Sequence, residues 1–336
     1  MTEVQRTVDM HCHVGTPACV DLSRAFLQDH VGDVHPHLNR ETLEYNEEQF
    51  RLLAEKLVDP TERLRDMDSM GIDVQAISVA PPQYYYWADP ELGLRLSMMQ
   101  NDHLAELVEG NPDRFVALGT VPLQDTAAAV GELERCVNEL GFRGVEICTS
   151  VNSIDLDDPR FRRFFARASE LGVVVLLHPE GFAEANARLA PYYLSNVIGN
   201  PLDTTVAASK IIHGGVLEEY PDLRLCLSHG GGFLPFYSSR MDHSYEFRPE
   251  GRKRISKPPS HYLKMMYFDC LVFDAAHLGF LVSQVGVDHV VVGTDYPFDM
   301  GHYDPLGQID SVATLTDEER AMIKGGNAMR LLGLAS

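Results

Sequence analysis

Val8-Asp9-Met10-His11-Cys12-His13-Val14 is the stretch on which the fold turns. Its ends are apolar, and Gly15 and Pro17 stop it, so it reads as a short β-strand. Side chains alternate across a strand, which puts His11 and His13 on one side, roughly 6.6 Å apart along the backbone. That spacing lets two imidazoles converge on one metal ion, while Cys12 points the other way, into packing. Two histidines adjacent by chance would look the same, and the rest of the chain decides between these readings.

The chain of 336 residues suits one large α/β domain or two smaller ones. Hydrophobic content of 45% and charged content of 23% are those of a soluble globular enzyme. The net charge of −21 comes without any basic block. Such a surface repels phosphate backbones and anionic lipid, which argues against nucleic-acid and membrane partners. No apolar run approaches the ~20 residues that span a bilayer. The opening MTEVQRTVDM lacks the apolar core of a secretion signal. Six scattered cysteines with no CxxC pair read as reduced thiols, and the expected location is cytoplasmic.

Strand-like and helix-like segments alternate along the chain. The polar stretch 15–60 is too long for an ordinary loop and reads as an insertion, a cap or lid, with a helix at 47–57. A helix over 61–70, with Thr61 as N-cap and Gly71 as stop, leads into a strand at 74–79. Further strands are expected at 115–120, 144–148, 173–177, 225–227, 267–269 and 290–292. Helices lie between them, at 91–109, 126–140, 159–171 and 201–212, and two more close the chain at 317–324 and 327–331.

Eight strands interleaved with helices are the count of a (β/α)8 TIM-like barrel, here one domain over 1–336 with the insertion after strand one. A doubly wound sheet is the competing architecture. The chemistry separates them. His11, His13, His178, His229 and Asp295 all fall at C-terminal ends of expected strands, the face on which barrel active sites are built. His178 alone could be a satisfied core histidine and Asp295 alone a helix cap, but all of them together point to one site.

The segments HCH, LLHPEG, LSHGGGFLPF, GTDYPFDMG and GNAMRLLGL carry a specific resemblance. From Val8 to Leu334 the chain resembles the amidohydrolase superfamily. Within it, the chain is similar to the non-hydrolytic branch typified by aminocarboxymuconate-semialdehyde decarboxylase. The resemblance implies one divalent ion, zinc by preference and manganese as the other candidate, held by His11, His13, His178 and Asp295. It implies His229 as the acid/base residue beside the metal. Arg51 and Arg240 match the family's substrate-carboxylate arginines, and the resemblance implies that Arg240 comes from the neighbouring subunit of a homodimer. The implied substrate is a small unsaturated or aromatic carboxylic acid, and the implied reaction its non-oxidative decarboxylation.

The residue chemistry agrees. Three imidazoles and one carboxylate leave an open position on a divalent ion, which is the catalytic pattern. Decarboxylation needs a sink for the charge left behind and then a proton, and a metal with His229 supplies both. Arginine suits a planar carboxylate through its two parallel hydrogen bonds, and a surface salt bridge is the other reading of Arg51. Gly230, Gly231 and Gly232 lack a P-loop lysine and read as a close approach of backbone to the site. The loop 84–87 reads equally as packing or as a substrate wall. Two places depart from the family pattern. Glu180 and Asn196 stand where tryptophans are expected, and Glu180 would repel a substrate carboxylate. Strand four carries Glu146 and no lysine, which favours one metal over two, with Glu146 as a bridging ligand the minority reading. A hydrolase or hydratase of the same fold is the alternative function, and a silent metal-binding protein the third.

Overall fold

Strand β1 is Val8–Val14, and the remaining seven barrel strands follow as expected, with ends moved by a residue or two. They are β2 (Val74–Val79), β3 (Phe115–Gly119), β4 (Gly144–Cys148), β5 (Val174–His178), β6 (Arg224–Leu227), β7 (Tyr267–Asp269) and β8 (Val290–Val291). The computed structural model describes residues 6–27, 40–180 and 188–334. Every neighbouring pair from β1 to β8 is parallel and in sequence order. Parallel bridges Asp9–Val292 and Cys12–Tyr296 join the last strand to the first, with Met10 N donating to Val292 O at 2.9 Å. The sheet is therefore a closed (β/α)8 barrel, and the doubly wound alternative falls away.

The 15–60 stretch contains two helices, α1 (Pro17–Leu27) and α2 (Arg40–Val58), so the cap helix starts well before 47. Helix α3 (Pro60–Met70) is capped by Asp59, not Thr61: the Asp59 carboxylate accepts from Thr61 N at 2.7 Å. Pro60, which has no N–H to satisfy and a preset φ, begins the helix one residue earlier. The outer helices that follow are α4 (Pro90–Gly110), α5 (Thr126–Asn138), α6 (Arg162–Leu171), α7 (Asn200–His213), α8 (Leu234–Phe247) and α9 (Ala275–Val285).

The barrel interior is filled on one side of the level of His11 and His13 by Val8, Met10, Val174, Leu176, Cys226 and Val291. Ala328, Met329, Leu331 and Leu332 of the terminal helix pack into the same cluster and close that end. Asn327 Nδ2 donates to Val290 O at 2.7 Å and to Val287 O at 2.8 Å, which ties the closing helix to β8. Cys12 and Val14 belong instead to the outer cluster with Leu177, Leu227 and the helices. The β1–β2 register shifts between Asp9 and Cys12. This bulge re-phases the strand, so that His11 follows Met10 into the lumen. Among the described residues, no helix is long and apolar enough to cross a membrane.

Candidate metal and active site

His11, His13, His178 and Asp295 meet at the barrel mouth, with one donor atom from each lying within 4.8 Å of the others. All four residues are buried. His11 Nδ1 donates to Asp269 Oδ2 at 2.7 Å, and His13 Nδ1 to the Val79 carbonyl at 3.0 Å. Those bonds fix the tautomers, because a carboxylate and a carbonyl only accept. The two Nε2 atoms are then left without protons in the neutral rings, yet they lie 3.2 Å apart. Asp295 Oδ1 adds a third acceptor, 3.1 Å from His13 Nε2 and 3.5 Å from His11 Nε2. Both ring nitrogens of His178 and Asp295 Oδ1 are buried without any hydrogen-bond partner among the described residues. Acceptors converging on one point, with orphaned polar atoms around it, are the environment of a cation. The donor set fits one divalent metal ion.

The protonation tendencies follow from the same contacts. Burial and the neighbouring His13, His11 and His229 hold His178 well below the ordinary histidine range. Burial opposes ionisation of Asp295, but His11, His13 and His229 outweigh it and hold the carboxyl well below its usual range. For His11, burial is likewise outweighed, by Asp269 and Asp295, and the ring is pushed up.

His229 follows β6 and is half-buried, with Nε2 3.5 Å from Asp295 Oδ2 and its ring centroid 5.1 Å from those of His11 and His178. Both His229 (φ 53°) and Asp295 (φ 57°) sit in the left-handed region, which non-glycine residues hold only where the surroundings demand it. The glycines after His229 permit close approach, as expected: a Cβ on Gly232 would lie 2.1 Å from Pro201 O.

Asp269 escaped the sequence reading. It ends β7 and is fully buried. Besides His11, it accepts from His229 N at 2.9 Å and Gly230 N at 2.7 Å. One carboxylate thus orients His11 and the His229 loop together. The one signal in the sequence is its place, since Asp269 ends its short strand as His178 ends β5.

Glu146 is a spectator. It accepts from Ser78 at 2.6 Å and Tyr84 at 2.5 Å and is 3.9 Å from His13 Nδ1, a nitrogen already bonded to Val79. Tyr84 and Tyr86 are buried and stacked, so this loop is packing.

A cavity of about 140 Å³ opens above the cluster, with His178 and Asp295 on its floor and Glu180 in its wall. Burial, then Asp203, pushes Glu180 up to about 8. Helix α2 roofs it with Asn46, Gln49, Phe50 and Leu53, the i, i+3, i+4, i+7 stripe of one helix face. Arg51 is therefore turned outward: its side chain is 76% exposed and pairs with Glu48 at 3.6 Å. Arg240 is also exposed, on α8, and lines neither this cavity nor the one beside it. In a single chain, neither arginine is brought to the metal cluster. The second cavity, about 480 Å³, is walled by His229 and by apolar side chains such as Phe233, Phe236 and Phe280. It meets the first at Asn196, Asn200 and Met300.

The family described as amidohydrolase matches residues 8–334. A 2-amino-3-carboxymuconate-6-semialdehyde decarboxylase of Dictyostelium discoideum is 36% identical over 286 residues, 85% of this chain and 79% of the relative. A gamma-resorcylate decarboxylase of Rhizobium sp. (strain MTP-10005) is 28% identical over 305 residues, 85% of this chain and 90% of the relative. Among solved structures, 5-carboxyvanillate decarboxylase LigW from Sphingomonas paucimobilis superposes with a TM-score of 0.85 at 28% identity, covering 98% of this chain and all of that one.

Proposed function

We propose that this chain, which belongs to the amidohydrolase family, is a metal-dependent, non-oxidative decarboxylase of a small unsaturated or aromatic carboxylic acid. The observation that carries the reading is the convergence of four potential ligand atoms at the floor of a small cavity, with His229 beside them. His11, His13, His178 and Asp295 would hold the ion. Zinc suits three imidazoles and a carboxylate best, with manganese the second choice. When bound, the ion supplies positive charge against the substrate carboxylate and the electron density that stays behind as CO2 leaves.

The chain's own residues do the rest. His229 Nε2 faces the cluster and can hold a proton there, with Asp295 Oδ2 stabilising the imidazolium. As the C–C bond breaks, its electron pair remains on the substrate carbon, which takes the proton from His229. Asp269 keeps His11 and the His229 loop in register with each other. Phe50, Leu53 and Phe298 cover the cavity and limit the entry of water. The engagement of Glu146 by Ser78 and Tyr84 favours a one-ion site over two-metal hydrolysis.

Metal-loaded protein assayed against a panel of unsaturated and aromatic carboxylic acids tests the proposal. Stoichiometric CO2 release is expected from at least one acid, with hydrolysis of the corresponding esters or amides at background. Ester or amide turnover without CO2 would replace the decarboxylase reading with a hydrolytic one.

A further inference from the structure

The acid/base histidine and the metal-ligating residues border different cavities. His178 and Asp295 line the cavity of about 140 Å³ over the cluster, whereas His229 lines the one of about 480 Å³ beside it. The two meet at Asn196, Asn200 and Met300. A substrate whose carboxylate lies at the cluster, and whose adjoining carbon takes a proton from His229, must therefore sit across that junction. Its body then has two directions in which to extend: under Phe50 and Phe298, or past His229 into the larger space.

The larger space is built for an apolar occupant. Phe233, Phe236, Phe273 and Phe280 line it, and buried Leu271 and Leu281 form its inner wall. The rings of Phe236 and Phe280 form a tilted pair, with centroids 5.6 Å apart and planes at 48°. No aspartate, glutamate, lysine or arginine is in its lining among the described residues. Phe236 is nevertheless 68% exposed and Phe273 52% exposed. Large apolar side chains left open around one concavity mark a binding surface, and this concavity reaches the acid/base residue. Aromatic walls meet a flat ring edge-on or offset, which adds to the gain from burying its faces.

We infer that this second cavity is a subsite for an aromatic or comparably bulky apolar group of the substrate. The chain then acts on a carboxylic acid that carries such a group beyond the ring or double bond next to its carboxylate. The inference rests on the decarboxylase reading for the placement of the carboxylate at the metal and for the role of His229.

Calorimetric titration of the metal-loaded protein with benzoate, 1-naphthoate and 2-naphthoate tests it. The better naphthoate is expected to bind at least about tenfold more tightly than benzoate, the scale of added carbons in an apolar pocket. Phe236→Ala and Phe280→Ala each remove part of the wall, at positions exposed enough that the fold is not at risk. Each should cut that ratio by roughly two- to tenfold, the scale of one lost aromatic contact, with benzoate binding little changed. A naphthoate advantage unchanged in both variants overturns the inference, because the gain then arises elsewhere. Equal binding of all three acids, or no binding, also overturns it, whether the cavity stays empty or a second copy fills it. CO2 release from a panel of acids, measured in parallel, keeps the two claims apart. A naphthoate advantage that depends on both phenylalanines, with no CO2 from any acid, sinks the decarboxylase reading alone. CO2 from single-ring acids with no naphthoate advantage sinks the subsite alone.

Discussion

The floor of the cavity is made by strand ends, whereas its cover is made by α2 and the chain from 191 to 200. On the floor, backbone bonds hold the donors: His178 is paired in register with Cys148, His13 with Ser78, and Asp295 N donates to His11 O at 2.8 Å. Asp269 and Val79 then lock the imidazoles of His11 and His13 by their far nitrogens. The cover has no such ladder. Its position depends on the phase of one helix and on a few contacts, such as Gly15 N to Leu57 O at 3.0 Å and Phe50 against Phe298 at 5.7 Å. Arg63 adds a tie from beneath, donating to the His13 carbonyl and, at 3.4 Å, to Lys56 O. Chemistry is thus assigned to the rigid layer and selection to the adjustable one, so the cover can vary without disturbing the ligands.

If that division holds, the largest effects come from the floor. His178→Ala and His11→Ala each remove a direct ligand and should take the protein from about one ion per chain to almost none, with activity at background. Elemental analysis of dialysed protein checks this, and a variant retaining a full ion would break the assignment of the floor. Next in size is His229→Ala, which should keep the ion and lower kcat by roughly 10²–10⁴-fold, the scale of a lost acid/base group. Loss of metal together with activity would make His229 a ligand instead. Asp269→Asn acts one contact further out. Metal affinity should weaken about 10–100-fold, as for other outer partners of ligating histidines, and competition with a chromophoric chelator reads it.

The same division explains what could be read from the chain. Alternation along β1, and polar residues at the exits of apolar runs such as Val174–His178, encode the floor locally, so the barrel and the four clustered donors were legible. Asp269 is hard to single out, because a three-residue strand, Tyr267–Asp269, gives little pattern in which its last residue stands out. The bulge at Asp9–Cys12 was invisible because it depends on pairing with β2, not on β1 itself. On the cover, the sequence predicts a cap helix over 47–57 and leaves its inward face open. Only the full helix Arg40–Val58 and its packing on β1 show that Phe50 faces the cavity while Arg51 does not.

The smallest effects should therefore separate two neighbours on α2. Phe50 lines the cavity and meets Phe298, which in turn lies 5.3 Å from the His13 ring. Phe50→Ala removes apolar contact with the substrate and loosens the roof. A loss of about 1–2 kcal/mol, the scale of a few methylenes in a binding pocket, should appear as a roughly five- to thirtyfold rise in KM. Because the floor is untouched, kcat and metal content should stay near the unmodified values. Arg51 has only its exposed pair with Glu48, at 3.6 Å. Pairs of that kind contribute about 0–1 kcal/mol to stability and nothing to a cavity they do not reach. Arg51→Ala should accordingly leave KM within about twofold and shift Tm by no more than a few degrees. Steady-state kinetics of both variants on one substrate, with a melting curve for each, makes the comparison. A large KM rise in Arg51→Ala with Phe50→Ala unaffected would mean that α2 turns about its axis when substrate binds, and the cover would then be a moving part with Arg51 as its substrate contact.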